Sequence, residues 1–466
     1  MTNAADRLSY EQAKNEFLKQ NEADTATEKT EAQTTDNNAA KPAENPAVTP
    51  AEKAAEVAAD NAAKPADKPE QPEPLSDRVV MEHTAGIWQY KPIADTTVEL
   101  HEENHAKFTS DGAFEIIAAR ARGKKHKHDA TNCDDWFETA VTNGCAIAVV
   151  ADGAGSKKFS RIGARIVCET AVEYLRSEVK KAFEGDEQIK SALSADFNSQ
   201  EFIAACTKLA TAAKDSAKAA YSMVIEEHQR VYNIDEYANS LGRKPEINDF
   251  YSTFLAAVIV PLGKECFTVT VQIGDGCICG IDSAKDADAC LKLLGEPDSG
   301  SFSGETEFIS EKNVDDRIIA GKTRISRGTS DTFLLMSDGV ADDYYPSAPM
   351  MKRLYLDLAL NGILPMQGEP QKPVDPAPVR FRSVSERAYS VELQYAKQLL
   401  SADTDIDALW NKRDKLRCHS LEAFGVTLGE TPQERLLCWI DNYNERGSFD
   451  DRTLAIIRVR NGGADA

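Results

Sequence analysis

From about residue 79 onward, short apolar runs alternate with stretches of helical spacing. Phe114 to Arg122 is apolar and ends on a basic residue, which predicts a strand. A polar stretch from Gly123 to Asn132 reads as a loop. Cys145 to Val150 (Cys-Ala-Ile-Ala-Val-Val) has the character of a buried strand and runs into Ala151-Asp152-Gly153. Just beyond, Ile162, Ile166, Val167, Ala171, Tyr174 and Leu175 recur at helical spacing. Phe254–Val260, Cys266–Ile273 and Cys277–Ile281 are further strands, parted by the turn from Pro261 to Glu265 and by Gly274-Asp275-Gly276; they are expected to form an antiparallel meander. Thr332–Met336 and Thr453–Val459 complete the strands. Residues 184 to 250 look helical, and 343 to 446 mix helices with a proline-rich stretch from Pro370 to Pro378. Hairpin-linked strands with helices clustered elsewhere predict an α+β layout over a doubly wound parallel sheet. No internal repeat is visible.

Residues 1 to 78 are a different material, rich in Ala, Glu, Lys, Pro, Thr and Asn. Over residues 1 to 75, 8 Lys/Arg stand against 15 Asp/Glu, a net of −7, which leaves −15 of the chain's −22 for the remainder. Such a segment buries too little apolar area to offset its ordering entropy. Its Lys-Pro and Glu-Pro steps suit an extended linker. Leu8, Ala13, Phe17 and Leu18 would share one face of a short helix able to dock a partner; a transient isolated helix is the competing reading. Residues 79 to 466 then form the folded region.

The net charge of −22 argues against a nucleic-acid surface and against docking on anionic membrane. No run of about 18 apolar residues marks a membrane helix, and no apolar stretch follows the first residues as in a secretory signal. Ten cysteines are spread from Cys133 to Cys438 without a C-x-x-C pair. They read as reduced thiols of a cytoplasmic protein.

Asp152, Asp275, Asp338 and Asp450 each stand where an apolar strand begins or ends, and glycine follows three of them. Asp134-Asp135 precede Trp136-Phe137. A single Asp-Gly is ordinarily a turn. The repeated set points to carboxylates held by rigid elements and converging on one place, where they repel unless cations neutralise them. Glycine after the aspartate lets the backbone approach closely and offers its carbonyl. Oxygen ligands without His or Cys select Mg2+ or Mn2+ over Zn2+.

Val149 to Gly155, Ile273 to Gly276, Leu335 to Gly339 and Asp450 to Leu454 follow the order of the motifs of the metal-dependent type 2C serine/threonine phosphatases, which the sequence resembles over roughly residues 110 to 460. Gly123-Lys124-Lys125-His126 with Cys133-Asp134-Asp135 is similar to the opening motif of a bacterial branch. The resemblance implies two packed antiparallel β-sheets flanked by helices, with helical insertions at about 184–250 and 343–446 that border the site. It implies that Asp152 bridges two Mn2+ or Mg2+ ions, that Asp338 and Asp450 complete the first site, and that the Gly153 carbonyl and Asp134 complete the second. Asp275, Asp338 and Asp342 match a third, weaker site, and Asp135 supports the cluster. The implied reaction is hydrolysis of phosphoserine or phosphothreonine on a phosphoprotein by water that the cations activate. Two departures stand out. Ala154 occupies the position where many relatives carry a proton-donating His. The family's phosphate-binding arginine would fall on Ala130, which leaves Arg122, then His126, as candidate anchors. A pseudophosphatase acting as a regulatory binding module is the alternative, and a partner protein docking on the N-terminal segment or the insertions is expected.

Overall fold

The computed structural model describes residues 89–442 and 449–460, except 95, 97, 186–187, 286–289, 298–305, 345–347 and 366–419. The expected N-terminal segment with its short helix, the start of the folded region near residue 79, the Pro370–Pro378 stretch and much of the second insertion lie outside the described residues.

The strands are β1 (Asn104–Asp111), β2 (Phe114–Ala121), β3 (Trp136–Thr142), β4 (Cys145–Ala151), β5 (Phe254–Leu262), β6 (Glu265–Ile273), β7 (Cys277–Ile281), β8 (Leu291–Leu293), β9 (Thr323–Gly328), β10 (Thr332–Met336) and β11 (Arg452–Val459). They form a six-stranded sheet ordered β1-β2-β11-β10-β7-β8 and a five-stranded sheet ordered β3-β4-β5-β6-β9. Neighbouring strands pair antiparallel throughout. The helices used below are α1 (Lys124–Asp129), α2 (Ser160–Glu184), α3 (Gln200–Val231), α4 (Asp338–Tyr344), α5 (Ala348–Leu360) and α6 (Pro432–Asn442).

The two sheets pack face to face, and β4 shows how one strand serves two cores. Ala146, Ala148 and Val150 pack with Phe333, Leu335, Ala455 and Ile457 of the opposite sheet. The alternate residues Cys145, Ile147, Val149 and Ala151 pack with residues of α2 and α3. On the far side, Leu334, Met336, Leu454 and Ile456 meet Leu354 and Leu358 of α5 and Trp439 of α6. Both faces of the central strands are therefore covered, which is why they read as continuous apolar runs without polar alternation. The helical character expected of residues 184–250 is present: α3 packs along α2 and on the five-stranded sheet.

Two expectations are corrected. The polar stretch after Gly123 is not loop throughout, because Lys124–Asp129 forms α1, ending at Ala130 with φ 61°. Its polar sequence carries no apolar periodicity to signal a helix. The meander also breaks after β6. With β5 and β9 occupying both edges of β6, β7 pairs instead with β10 and β8 in the other sheet. Gly274-Asp275-Gly276 is thus a crossing between sheets, and it is tight. Gly274 has φ 117°, and a Cβ on Gly276 would lie 2.4 Å from the Met336 carbonyl oxygen. The clash is with backbone, which has little room to yield. Gly276→Ala is expected to destabilise the fold by about 2 kcal/mol or more, read as a lower midpoint in urea unfolding; a midpoint equal to wild type would mean that the crossing is slack.

Candidate metal centre

The strand ends at one edge of the sandwich bring the aspartates together. Asp152 follows β4 directly. Its N–H donates to the Thr253 hydroxyl (2.8 Å) and its carbonyl accepts from the Thr253 N–H (2.8 Å). Next to it, Gly153 bridges Ser252, and a Cβ there would fall 2.8 Å from the Asp134 carbonyl oxygen. Asp338 opens α4 just past β10, and Asp342 lies one helical turn along it, exposed. A Cβ on Gly339 would sit 1.9 Å from the Asp451 carbonyl oxygen, so α4 and the start of β11 are in backbone contact. Asp275 sits in the sheet crossing and accepts from the Thr306 hydroxyl.

Asp152 and Asp338 come from different sheets, yet their carboxyls lie within hydrogen-bonding reach of each other. Burial, then the charges of Asp338, Asp135 and Asp450, push the Asp152 carboxyl well above the usual range. Burial and Asp275 do the same for Asp338, with Asp450 and Asp135 adding to it. Asp342 is raised by partial burial and by Asp275 and Asp450. Among the described residues, no Lys or Arg forms an ion pair with Asp152, Asp275, Asp338 or Asp342. One oxygen (Oδ1) of each of Asp135, Asp275 and Asp338 is buried without a hydrogen-bond partner. Unpaired, all-oxygen, acidic ligands fit a hard divalent cation.

Asp135 lies beneath this group, fully buried, accepting from the hydroxyls of Ser337 (2.8 Å) and Thr453 (2.6 Å). Asp134, also buried, lies beside Asp451, His126 and Arg161, with its carbonyl close against Gly153. Burial and the Asp451 charge raise its carboxyl.

Asp450 and Asp451 have opposite surroundings. The Asp450 side chain is 51% exposed, whereas that of Asp451 is 1% exposed. Asp451 accepts the N–H groups of Gly123 and Asp134 and pairs with His126 Nδ1 at 2.8 Å. Burial opposes the charged imidazole, but Asp451, Asp134 and Asp450 outweigh it and raise the His126 pKa to about 10. Ligand atoms of His126, Asp450 and Asp451 lie within 4.8 Å of one another. Both Asp451 oxygens accept donors, so within this trio Asp451 serves as a hydrogen-bonded tie. The hub role of Asp451 was not separable from Asp450 in the sequence.

Arg122 is not placed as a phosphate anchor. Its guanidinium is buried, with Nη1 donating to Glu103 Oε1 (2.7 Å) and Nη2 to the carbonyls of Lys91 (2.6 Å) and His126 (2.9 Å). A cleft of about 250 Å3 does open beside Asp134, between α1 and the loop that follows Asp152. Lys125, His126, Lys157, Lys158 and Arg161 contribute to its walls. Ala154 is buried and offers no proton donor.

No curated protein matches the chain. Solved structures that resemble it include RsbX in complex with magnesium (11% identity, 76% of this chain and 100% of that chain, TM-score 0.28). Others are the S. agalactiae serine/threonine phosphatase (14%, 74% and 99%, 0.30) and the Mycobacterium tuberculosis serine/threonine phosphatase PstP/Ppp (12%, 74% and 99%, 0.30). At such scores these likenesses carry no weight of their own. The sequence itself matches the protein phosphatase 2C family across residues 122–361, just over half its length and inclusive of Asp134, Asp152, Asp275 and Asp338. A chain with that match, folded as two antiparallel sheets whose edge gathers unpaired aspartates, belongs to the protein phosphatase 2C family of metal-dependent serine/threonine protein phosphatases.

Proposed function

We propose that the aspartate cluster is the metal centre of this phosphatase and that it takes Mg2+ or Mn2+, two ions with a third, weaker position. Asp152, Asp338 and Asp450 would hold the first ion. Asp152, the Gly153 carbonyl and Asp134 would hold the second, and Asp275, Asp338 and Asp342 the third. The observation that carries this reading is the set of buried carboxylate oxygens on Asp135, Asp275 and Asp338 that lack any hydrogen-bond partner. Anionic oxygens so placed repel one another until cations neutralise them. Bound there, divalent cations supply Lewis acidity toward water and the phosphoryl group. The chain's own part is to hold the ligands still. Thr253 fixes the backbone of Asp152, Ser337 and Thr453 fix Asp135, and the exposed rim at Asp450 and Asp342 leaves access for a phosphoserine or phosphothreonine side chain.

We further propose a cytoplasmic enzyme. Its described cysteines are all unpaired thiols, and among the described residues no helix is long and apolar enough to cross a membrane. Residues 1–78 would be a recruitment segment attached to a catalytic unit of residues 79–466, bordered by the insertions at about 184–250 and 343–446, which a partner protein could also engage.

Wild-type protein is expected to hydrolyse p-nitrophenyl phosphate with Mn2+ and to stop on addition of EDTA, and Asp152→Asn or Asp338→Asn should lower kcat/KM by about 10³ or more. A second readout does not depend on turnover. Without metal, Asp338→Asn should raise stability by about 1 kcal/mol because it relieves like-charge repulsion, while the rise in melting temperature that Mn2+ gives the wild type should disappear. An apo variant less stable than wild type that still responds to Mn2+ would count against the cluster. Deleting residues 1–78 should leave p-nitrophenyl phosphate turnover within about twofold, as expected for a segment outside the core; a large loss would assign those residues to the catalytic unit.

A further inference from the structure

We infer that the cleft beside Asp134 is the seat of the substrate phosphoryl group and that Lys125 and Lys157, one from each wall, are its cationic anchors. The inference rests on reading the aspartate cluster as the metal centre, because Asp134 both lines the cleft and lies against Asp135 and Asp451. With the cluster loaded by cations, the rest of a chain of net charge −22 still disfavours an anion, and cationic side chains beside the centre offset that cost.

The cations near the cleft differ in what they have left to give. Arg122 is buried and bound to Glu103 and two carbonyls. Arg161 spends Nε on the Glu99 carbonyl (2.9 Å), Nη1 on that of Lys158 (2.8 Å) and Nη2 on that of Val98 (2.7 Å). Lys127 is tied to Asp441. The ammonium groups of Lys125 and Lys157 have neither a hydrogen bond nor an ion pair among the described residues, and both residues line the cleft.

Their backbones, by contrast, are pinned. The Lys125 N–H donates to the Phe449 carbonyl (2.9 Å), next to Asp450. The Lys157 N–H donates to the Ala154 carbonyl (2.8 Å), and Ala154 is itself held by Tyr251 (2.9 Å). Lys125 is thus tied to the residue before one proposed metal ligand, Asp450, and Lys157 lies five residues after another, Asp152. Lysine acts as a point charge on a flexible stem, so two of them tolerate phosphoryl oxygens in more than one orientation where an arginine fork would fix one. The opposing charges in the lining are Asp129, exposed at the rim, and the buried Asp134, and Lys157 also acts on the Asp249 carboxylate.

The test uses the full-length protein with Mn2+, and p-nitrophenyl phosphate and inorganic phosphate as probes. Lys125→Ala and Lys157→Ala should each raise KM for the ester and Ki for phosphate by about three- to tenfold, and the double variant by more, with kcat changed by less than about threefold. Arginine at either position should restore most of the affinity. The Mn2+-induced rise in melting temperature should stay as in wild type. Unchanged KM and Ki in the double variant would overturn the assignment, and so would a loss of the Mn2+ response, since the lysines would then be supporting the centre. If the wild type shows no turnover at all, the reading of the metal centre fails. Calorimetric titration of phosphate into the Mn2+-treated protein still decides about the lysines: weaker binding in the double variant supports them, and equal binding rejects them.

Discussion

Asp152 directly follows a strand of the five-stranded sheet, and Asp338 closely follows a strand of the six-stranded sheet, yet their carboxyls meet. Thr253 fixes the Asp152 backbone, but that contact does not bring the two sheets together against this repulsion. The force comes from the apolar contact between the sheets, where Val150 and Ala148 of β4 share a core with Leu335 of β10 and Ala455 of β11. Two glycines remove the steric obstacle: Gly153 lets the chain pass the Asp134 carbonyl, and Gly339 lets α4 press on Asp451. The hydrophobic effect is non-directional and large in sum. Here it is used to hold charges at a spacing that they would not choose, a common arrangement where strain is kept at a functional site.

The adjacent pair Asp450-Asp451 shows how the same residue type takes two roles. Successive residues entering a strand point in opposite directions. One aspartate therefore faces solvent and the cluster, and the other turns inward to gather the N–H groups of Gly123 and Asp134 and the imidazole of His126. Asp451 ties α1, the segment before β3 and the start of β11 to one point, which sets the cleft wall carrying Lys125 in relation to Asp134.

Much of this was legible in the sequence. Strand-end aspartates followed by glycine marked Asp152, Asp275 and Asp338 before any fold was known, and the runs at β4, β5, β10 and β11 fell within a residue or two of their observed ends. Partner choice was not legible. Periodicity gives each strand a face but not a neighbour, so the switch of β7 into the other sheet was hidden behind a turn that reads like any hairpin. Arg122 failed for a similar reason. What consumes it is Glu103 and the Lys91 carbonyl, 19 and 31 residues away, and sequence spacing does not report such contacts. A signal for the lysines did exist: Lys157-Lys158 lie just after the strand-end motif at Asp152, and Lys124-Lys125 follow Gly123. Its meaning depended on α1 folding back beside that loop.

The crossing at Gly274-Asp275-Gly276 has a mechanical consequence. With the link from β9 to β10, also three residues long, it is one of the two shortest links between the sheets among the described residues, and it carries one of the acids. With Asp152 mounted on one sheet and Asp338 on the other, the separation of the carboxylates registers any sliding of the sheets across each other. The carboxylate set is therefore a vernier on the sandwich: a displacement too small to disturb either sheet internally still alters the spacing of its oxygens at the edge, so on the proposed reading the fitness of the cluster for cations and the alignment of the two halves form a single coordinate.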